Sequence, residues 1–111
     1  PSLIAMVAGI AAMGDKDFLH KTLMLNRVGY EFLESNLSKL NIITIPSVTN
    51  FITTVWESQK KANYITDALL QKGIIVRNLS PFGWANCIRI SIGTEEQNNR
   101  LISELESIVN L

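Results

Sequence analysis

Residues 73–94 read GIIVRNLSPFGWANCIRISIGT, a pattern typical of two short β-strands joined by a loop. We predict the strands over Ile74–Asn78 and Cys87–Ile92. Because successive side chains point to opposite faces of a strand, Arg89 lies opposite its isoleucine neighbours, and Arg77 lies opposite the valine before it. Each predicted strand therefore contains one arginine among apolar residues, with its side chain pointing away from those of its immediate neighbours.

These two arginines are the first candidate functional residues. A guanidinium is a permanent cation whose planar fork of N–H donors can grip a carboxylate or a phosphate in two places. Arg77 and Arg89 therefore indicate a site for an anionic ligand. The alternative is ordinary solvated surface charge, and the residue pattern leaves both interpretations open.

Helices are predicted on both sides of this segment. A long amphipathic helix over Lys16–Lys39 carries an apolar stripe, and a second helix over Gln59–Lys72 begins at the N-cap Ser58 and stops at Gly73. Thr94 to Gln97 has the form of a capping box for a last helix over Glu95–Asn110. The stripe of the long helix comprises Leu19, Leu23, Tyr30, Leu33, Leu37 and Leu40, with Asn26 in one expected apolar place.

Two further strands are predicted over Asn41–Ile45 and Asn50–Trp56. The resulting order of elements favours an α+β fold, with a small antiparallel or mixed sheet of about four strands covered by helices on one face. The other face of that sheet, bearing Arg77 and Arg89, would be free to line a cleft.

The opening segment, residues 1–14, is predicted to be a helix that is apolar all round and too short to cross a bilayer, which takes about 20 residues. Such a helix requires burial on both sides. The chain also starts at Pro1 without a methionine. We therefore expect 1–111 to be one domain cut from a larger protein, with 1–14 as the helix that meets the rest of it.

Composition excludes several functional classes. Ten basic and ten acidic residues cancel, so nothing predicts general affinity for nucleic acid or anionic lipid. The single cysteine, Cys87, rules out an internal disulfide and favours a small packing residue in a reducing, cytoplasmic protein. His20 is the single histidine and would supply only one ligand to a histidine-based metal site, so we predict no metal.

The arginine segment and its surroundings resemble a known family. The run G-I-I-V-R-x-L…G…C-I-R-I-S-I-G-T-E-E-Q-N resembles the C-terminal end of the pyridoxal-phosphate aminotransferases, specifically the histidinol-phosphate aminotransferase group. P-S-V-T-N-F-I at 46–52 is similar to that family's P-S-x-x-N-F, and D-x-x-F at 15–18 resembles the segment where its chain leaves the large domain. The resemblance covers essentially the whole chain.

The resemblance implies a role for each arginine. Arg89, in the Ile88-Arg89-Ile90 strand, would grip the substrate's α-carboxylate, and Arg77 would hold the substrate's phosphate or the distal carboxylate of the amino donor. Asn50 matches the N-F position, where a structural hydrogen-bonding role is implied. The Schiff-base lysine and the other pyridoxal phosphate contacts would belong to the large domain, so we expect no catalytic and no cofactor-binding residue in this chain.

For the whole protein, the resemblance implies a homodimer that catalyses transamination between histidinol phosphate and 2-oxoglutarate, giving imidazole acetol phosphate and glutamate. The chain alone is expected to fold without activity and without bound cofactor. Trp84 departs from the family pattern, and its loop is expected to influence substrate preference.

Other functions stay open at this point. An aminotransferase for aromatic amino acids, or a pyridoxal-phosphate decarboxylase acting on a phosphorylated amino acid, would also keep Arg89. A stand-alone regulatory module could use Arg77 and Arg89 to bind an anionic effector. A purely structural interaction domain would explain the opening helix and leave the arginines without a role.

Overall fold

A computed structural model of the chain describes residues 16–47 and 50–110. The predicted helix and domain junction at 1–14 lie outside these residues. A 3₁₀ turn at Ser80–Phe82, which the sequence did not predict, lies between the last two strands. The helices are α1 (Lys16–Lys39), α2 (Gln59–Gln71) and α3 (Glu95–Val109), and the strands are β1 (Ile43–Ile45), β2 (Phe51–Val55), β3 (Arg77–Asn78) and β4 (Cys87–Ser91).

The four strands form one antiparallel sheet in the order β1-β2-β4-β3. All three helices contribute to a single hydrophobic core, and the sheet adds Ile52, Ile88 and Ile90 to it. These three residues occupy the same face of β2 and β4, so the helices cover one face of the sheet and leave the other open. The α+β prediction, with about four strands and helices on one side, is confirmed.

The helix boundaries follow from capping groups that the sequence predicted. The Ser58 hydroxyl accepts a hydrogen bond from the Lys61 amide at 3.1 Å and begins α2. At α3, the Thr94 hydroxyl accepts from the Gln97 amide at 3.1 Å, while the Gln97 side chain accepts from the Thr94 amide at 2.9 Å. The capping box over Thr94–Gln97 is therefore confirmed, and it sets α3 directly after β4.

Two helices end in the same way, and this shortens the strands that follow. Gly73, with φ of 81°, ends α2, and the Ile74 amide then donates to the Leu69 carbonyl at 2.9 Å. Asn41, with φ of 62°, ends α1, and the Ile42 amide donates to the Leu37 carbonyl at 3.0 Å. Both are Schellman endings, in which the residues after the helix satisfy its last carbonyls.

The predicted starts of two strands were therefore wrong. The strand expected over Ile74–Asn78 is a ladder only over Arg77–Asn78, and the one expected over Asn41–Ile45 begins at Ile43. In each case the amide expected in the sheet is already used by the preceding helix. The other two strands agree with prediction to within one residue at each end.

The apolar stripe predicted along α1 is buried only in its second half. Leu33 and Leu37 are fully buried, whereas Leu23 is 55% exposed. Leu23 belongs to the predicted stripe but does not join the core, which α1 enters only near Gly29. The exposed apolar side chains of the first half also include Met24, Leu25 and Val28.

A close contact at Gly29 joins α1 to the turn after β4. A side chain at Gly29 would place its Cβ 2.6 Å from the Ile92 Cγ2 methyl and 3.0 Å from the Asn98 amide nitrogen. Asn98 is 4% exposed, accepts from the Gly93 amide at 2.9 Å and donates to the Gly93 carbonyl at 3.2 Å. The end of β4, and with it the strand that carries Arg89, is held between two helices.

Candidate anion-binding site

Arg77 and Arg89 lie directly opposite each other on neighbouring antiparallel strands. Arg77 of β3 pairs with Arg89 of β4, and Arg89 pairs in turn with Thr53 of β2. Residues paired in this way have their Cα atoms about 4.5–5.5 Å apart and their side chains on the same face. The structure thus brings together the two arginines that the sequence singled out from separate strands.

This pair lies on the open face of the sheet, which we define by Phe51, Thr53, Arg77, Cys87 and Arg89. The residues that flank Arg89 along β4 belong to the core, so Arg89 itself points the opposite way. Arg77 is exposed and Arg89 is half-buried. The alternation of faces predicted from the sequence is confirmed for β4.

Each guanidinium is stacked on an aromatic ring. The Arg89 Cζ lies 4.7 Å from the centre of the Phe51 ring, and the Arg77 Cζ lies 5.1 Å from the centre of the Phe82 ring. Both distances fall within the range of a cation–π interaction. A ring that covers the flat side of a guanidinium leaves its in-plane N–H donors free.

Neither arginine forms an ion pair with a carboxylate in the part of the chain that the structure describes. The ion pairs found there join Arg27 to Glu31 and Lys72 to Glu104. Like charges directly opposite each other on paired strands destabilise a sheet. An anion bound between Arg77 and Arg89 would remove that repulsion, so the arrangement favours a ligand with one or two negative groups.

The loop that carries Phe82 is tied to α2 by polar side chains. The Asn78 side-chain nitrogen, Nδ2, donates to the Asn63 side-chain oxygen at 2.7 Å, and the Asn78 side-chain oxygen accepts from the Ser80 backbone amide at 2.8 Å. Gln59, also on α2, donates to the Ser80 hydroxyl at 3.0 Å. The edge of the site next to Arg77 is therefore held by the start of α2.

Other residues considered in the sequence have simpler surroundings. Cys87 is buried, as expected for a packing residue, and His20 is exposed on α1. The Asn50 carbonyl accepts from the Ile92 amide at 2.9 Å, next to the β2–β4 ladder. The role of the Asn50 side chain stays a prediction. Within 16–47 and 50–110, there is no group of three or more metal-ligating side chains.

The described lysines do not fit a pyridoxal phosphate site. A lysine that forms a Schiff base needs desolvation or a cationic neighbour to lower its pKa. Four of the lysines with described side chains are exposed, on helices or, for Lys72, just after the end of α2: Lys21, Lys39, Lys60 and Lys72. Lys61 is half-buried, and its Nζ lies 5.6 Å from the Tyr64 ring centre, on α2 and away from the open face.

Sequence reasoning missed the two aromatic partners of the arginines. Phe51 was recognised only as a strand residue, and its contact with Arg89 depends on the register between β2 and β4, which no local pattern encodes. Phe82 was treated as part of a loop. Its one signal is the following Gly83, whose φ of 86° closes the tight turn that presents the ring.

Comparison with known proteins connects this geometry to one family. The sequence profile described as "Aminotransferase class I and II" matches residues 2–105. Histidinol-phosphate aminotransferase from Campylobacter jejuni is 41% identical over 108 residues, which is 97% of this chain and 29% of that protein. Histidinol-phosphate aminotransferase 2 from Legionella pneumophila is 39% identical over 104 residues, which is 94% of this chain and 28% of that protein.

Solved structures agree with the sequence match. A crystal structure of histidinol-phosphate aminotransferase from Sinorhizobium meliloti in complex with pyridoxal-5'-phosphate has a TM-score of 0.81 at 25% identity, over 93% of this chain and 29% of that one. A decarboxylase from Sulfurospirillum multivorans has a TM-score of 0.62 at 31% identity, over 85% of this chain and 25% of that one. The chain thus spans less than a third of each of these proteins.

Among the residues that the structure describes, no helix is long and apolar enough to span a membrane.

Proposed function

Because this chain belongs to the class I and II aminotransferase family, we propose that it is the small, substrate-orienting domain of a pyridoxal-phosphate enzyme. The reaction we propose for the whole protein is transamination between histidinol phosphate and 2-oxoglutarate. Histidinol-phosphate aminotransferases match 94–97% of the chain at about 40% identity, which supports this choice.

The observation that carries the proposal is the pairing of Arg77 with Arg89 on the open face. Both reactants of the proposed reaction carry anionic groups: histidinol phosphate has one phosphate, and 2-oxoglutarate, like the glutamate formed from it, has two carboxylates. Two adjacent guanidiniums without carboxylate partners in the described part of the chain can receive either reactant in turn. A single arginine would hold only one end of glutamate.

We assign a separate task to each arginine. Arg89 would grip the α-carboxylate of glutamate through two parallel N–H···O bonds, a geometry that fixes the direction of the bound group as well as its place. Arg77 would hold the distal carboxylate of glutamate or the phosphate of histidinol phosphate. Holding both ends of a substrate restricts its rotation, and this orientation lowers the barrier of the chemical step.

The cofactor of the family is pyridoxal phosphate, which the Sinorhizobium meliloti structure contains. Because the described lysines do not fit its site, we propose that residues outside this chain hold the cofactor. This chain would then supply binding and orientation, and the cofactor would supply the electronic chemistry. We further propose that the whole protein is a cytoplasmic homodimer, that the segment at 1–14 joins the two domains, and that the isolated chain is inactive.

The test is made on the complete protein that contains this chain. We expect its mass to be several times 12.4 kDa and its visible spectrum to show bound pyridoxal phosphate. Arg77→Ala should lower kcat/KM for histidinol phosphate by about 10²-fold. Truncating one partner of a buried charge pair costs about 2–5 kcal/mol, and the effect at Arg77, which is exposed, should lie at the low end of that range. The same variant should change kcat/KM for an aromatic amino acid much less.

Arg27→Ala is the matched control, because Arg27 lies on α1 in an exposed ion pair with Glu31. Arg27→Ala should leave kcat/KM unchanged for both histidinol phosphate and the aromatic amino acid. Unchanged histidinol phosphate kinetics in Arg77→Ala would refute the phosphate assignment and favour an aromatic amino acid aminotransferase. A colourless product with the mass of this chain alone would refute the enzyme and favour an anion-binding regulatory module.

A decarboxylase is the second candidate function, favoured by the similarity to the Sulfurospirillum multivorans decarboxylase. A decarboxylase of a phosphorylated amino acid would also use Arg77 and Arg89, because its substrate carries a carboxylate and a phosphate. The two functions differ in their products. Release of CO₂ without any need for 2-oxoglutarate would establish decarboxylation, whereas stoichiometric formation of glutamate would establish transamination.

A further inference from the structure

We propose that Phe82 is a positioning residue for the anion site, which it serves by holding the Arg77 guanidinium in its binding orientation; this inference rests on the proposed function and assigns a further residue to it. The Arg77 Cζ lies 5.1 Å from the Phe82 ring centre. An arginine beside an aromatic ring can keep the N–H donors at the edge of its guanidinium available to a phosphate or carboxylate.

Packing of the core does not account for Phe82. The side chain is 60% exposed, and it is absent from the hydrophobic core and from the apolar residues packed against that core. Its backbone is nevertheless ordered by hydrogen bonds: the Phe82 amide donates to the Leu79 carbonyl at 3.0 Å, and the Gly83 amide donates to the Ser80 carbonyl at 3.0 Å. An exposed ring on a well-tied turn is explained by its contact with Arg77.

The turn is held in place by α2. Asn63 accepts from Asn78, Asn78 accepts from the Ser80 amide, and Gln59 donates to the Ser80 hydroxyl. Asn78 is also the residue next to Arg77 in β3. The same short network thus fixes the backbone on both sides of the stack, so that the ring and the guanidinium meet at a set distance.

The stack matters for binding because a free arginine side chain has many rotamers. Binding an anion restricts them, and this lost freedom reduces affinity. A guanidinium already held against Phe82 has less freedom to lose. A cation–π contact at an exposed position corresponds to about a twofold to fivefold change in an equilibrium constant, and this is the size of effect that we expect.

The experiment compares variants of the cofactor-loaded protein, using inorganic phosphate as the probe and isothermal titration calorimetry as the measurement. Phe82→Leu keeps apolar bulk and removes the aromatic face, so it should raise the phosphate Kd and the KM for histidinol phosphate by about twofold to fivefold, with kcat unchanged. Phe82→Tyr and Phe82→Trp should retain wild-type values. Tyr64→Leu is the control, because Tyr64 is a 50% exposed ring whose cationic neighbour is Lys61 on α2, away from the open face, and it should leave the phosphate Kd and the KM unchanged.

Equal phosphate Kd values for wild type and Phe82→Leu would overturn the inference, and so would a Phe82→Trp variant as weak as Phe82→Leu. Arg77→Ala separates this inference from the proposed function. If Arg77→Ala weakens phosphate binding and Phe82→Leu does not, only the role of Phe82 is wrong. If Arg77→Ala binds phosphate like the wild type, the phosphate assignment of Arg77 fails and the role of Phe82 fails with it.

Discussion

The two faces of the sheet are built from alternate residues of the same strands, and they differ in almost every property. The covered face contributes Ile52, Ile88 and Ile90 to a core shared with three helices. Its buried polar residue, Thr54, is satisfied, since its hydroxyl donates to the Ile88 carbonyl at 3.1 Å and accepts from the Trp56 indole at 2.8 Å.

The open face instead presents Arg77 and Arg89 side by side with aromatic rings beneath them. The difference shows that stability and anion binding are assigned to separate sets of side chains on shared strands. Substitutions on the covered side should change the free energy of unfolding and leave ligand affinity in the folded protein intact. Substitutions of the two arginines should do the reverse.

The largest stability effect is expected from Leu105→Ala. Leu105 of α3 is fully buried in the core, and deleting a buried leucine side chain costs about 2–5 kcal/mol of unfolding free energy. Denaturant titration of the 111-residue chain would measure this loss. Leu70→Ala is the control, because Leu70 is 57% exposed on α2. A loss below about 1 kcal/mol for Leu105→Ala would contradict the described core.

A smaller loss is expected from Asn98→Ala, which breaks the connection between α3 and the end of β4. Asn98 is buried and bonds both the amide and the carbonyl of Gly93, so its removal should cost about 1–3 kcal/mol. Asn99→Ala is the neighbouring control, as Asn99 is exposed and bonds only the Glu95 carbonyl within α3. Equal thermal denaturation midpoints for the two variants would rule out the proposed connection.

A loss of about 1 kcal/mol is expected from Thr94→Ala, which removes the N-cap of α3. Thr94→Ser keeps the hydroxyl and should restore most of the lost unfolding free energy. Chemical denaturation of the two variants in parallel would measure their unfolding free energies. If serine restores nothing, the methyl group of Thr94 contributes more than the hydrogen bond from Gln97.

The smallest effect on stability is expected from Arg77→Gln on the open face. Relief of repulsion from Arg89 opposes loss of the Phe82 contact, which contributes about 0.5–1 kcal/mol, so the unfolding free energy should change by less than about 0.5 kcal/mol. Added NaCl should stabilise the wild type more than this variant, because salt screens the repulsion between the arginines. An identical response to salt would show that the two guanidiniums do not interact.

Much of the fold followed from local sequence signals. Ser58, Gly73 and the Thr94–Gln97 capping box predicted the helix boundaries because each satisfies backbone groups that a helix end leaves unpaired. The alternation in β4 likewise placed Arg89 opposite the core. The late start of β3 was missed because a Schellman ending uses the Ile74 amide, and the Ile-Ile-Val run reads as a strand regardless of that bond.

The site itself was only partly predictable. That Arg89 faces away from the core is a property of one strand, but that Arg77 lies opposite it depends on the length and path of the connecting loop. The stacks on Phe51 and Phe82 depend on register and on the turn at Gly83. The exposed first half of α1 was missed for a related reason: its apolar spacing resumes beyond Asn26 at Leu23, although the described core ends near Gly29.

The strict alternation in β4 has an evolutionary consequence. Inserting or deleting one residue between Cys87 and Ser91 would reverse the faces of the residues beyond it, so Arg89 would be carried into the core or an isoleucine would be carried onto the open face. Such changes would damage folding and ligand binding at once. New specificities in descendants of this domain should therefore arise by substitution within β4, and changes of length should be tolerated only outside it.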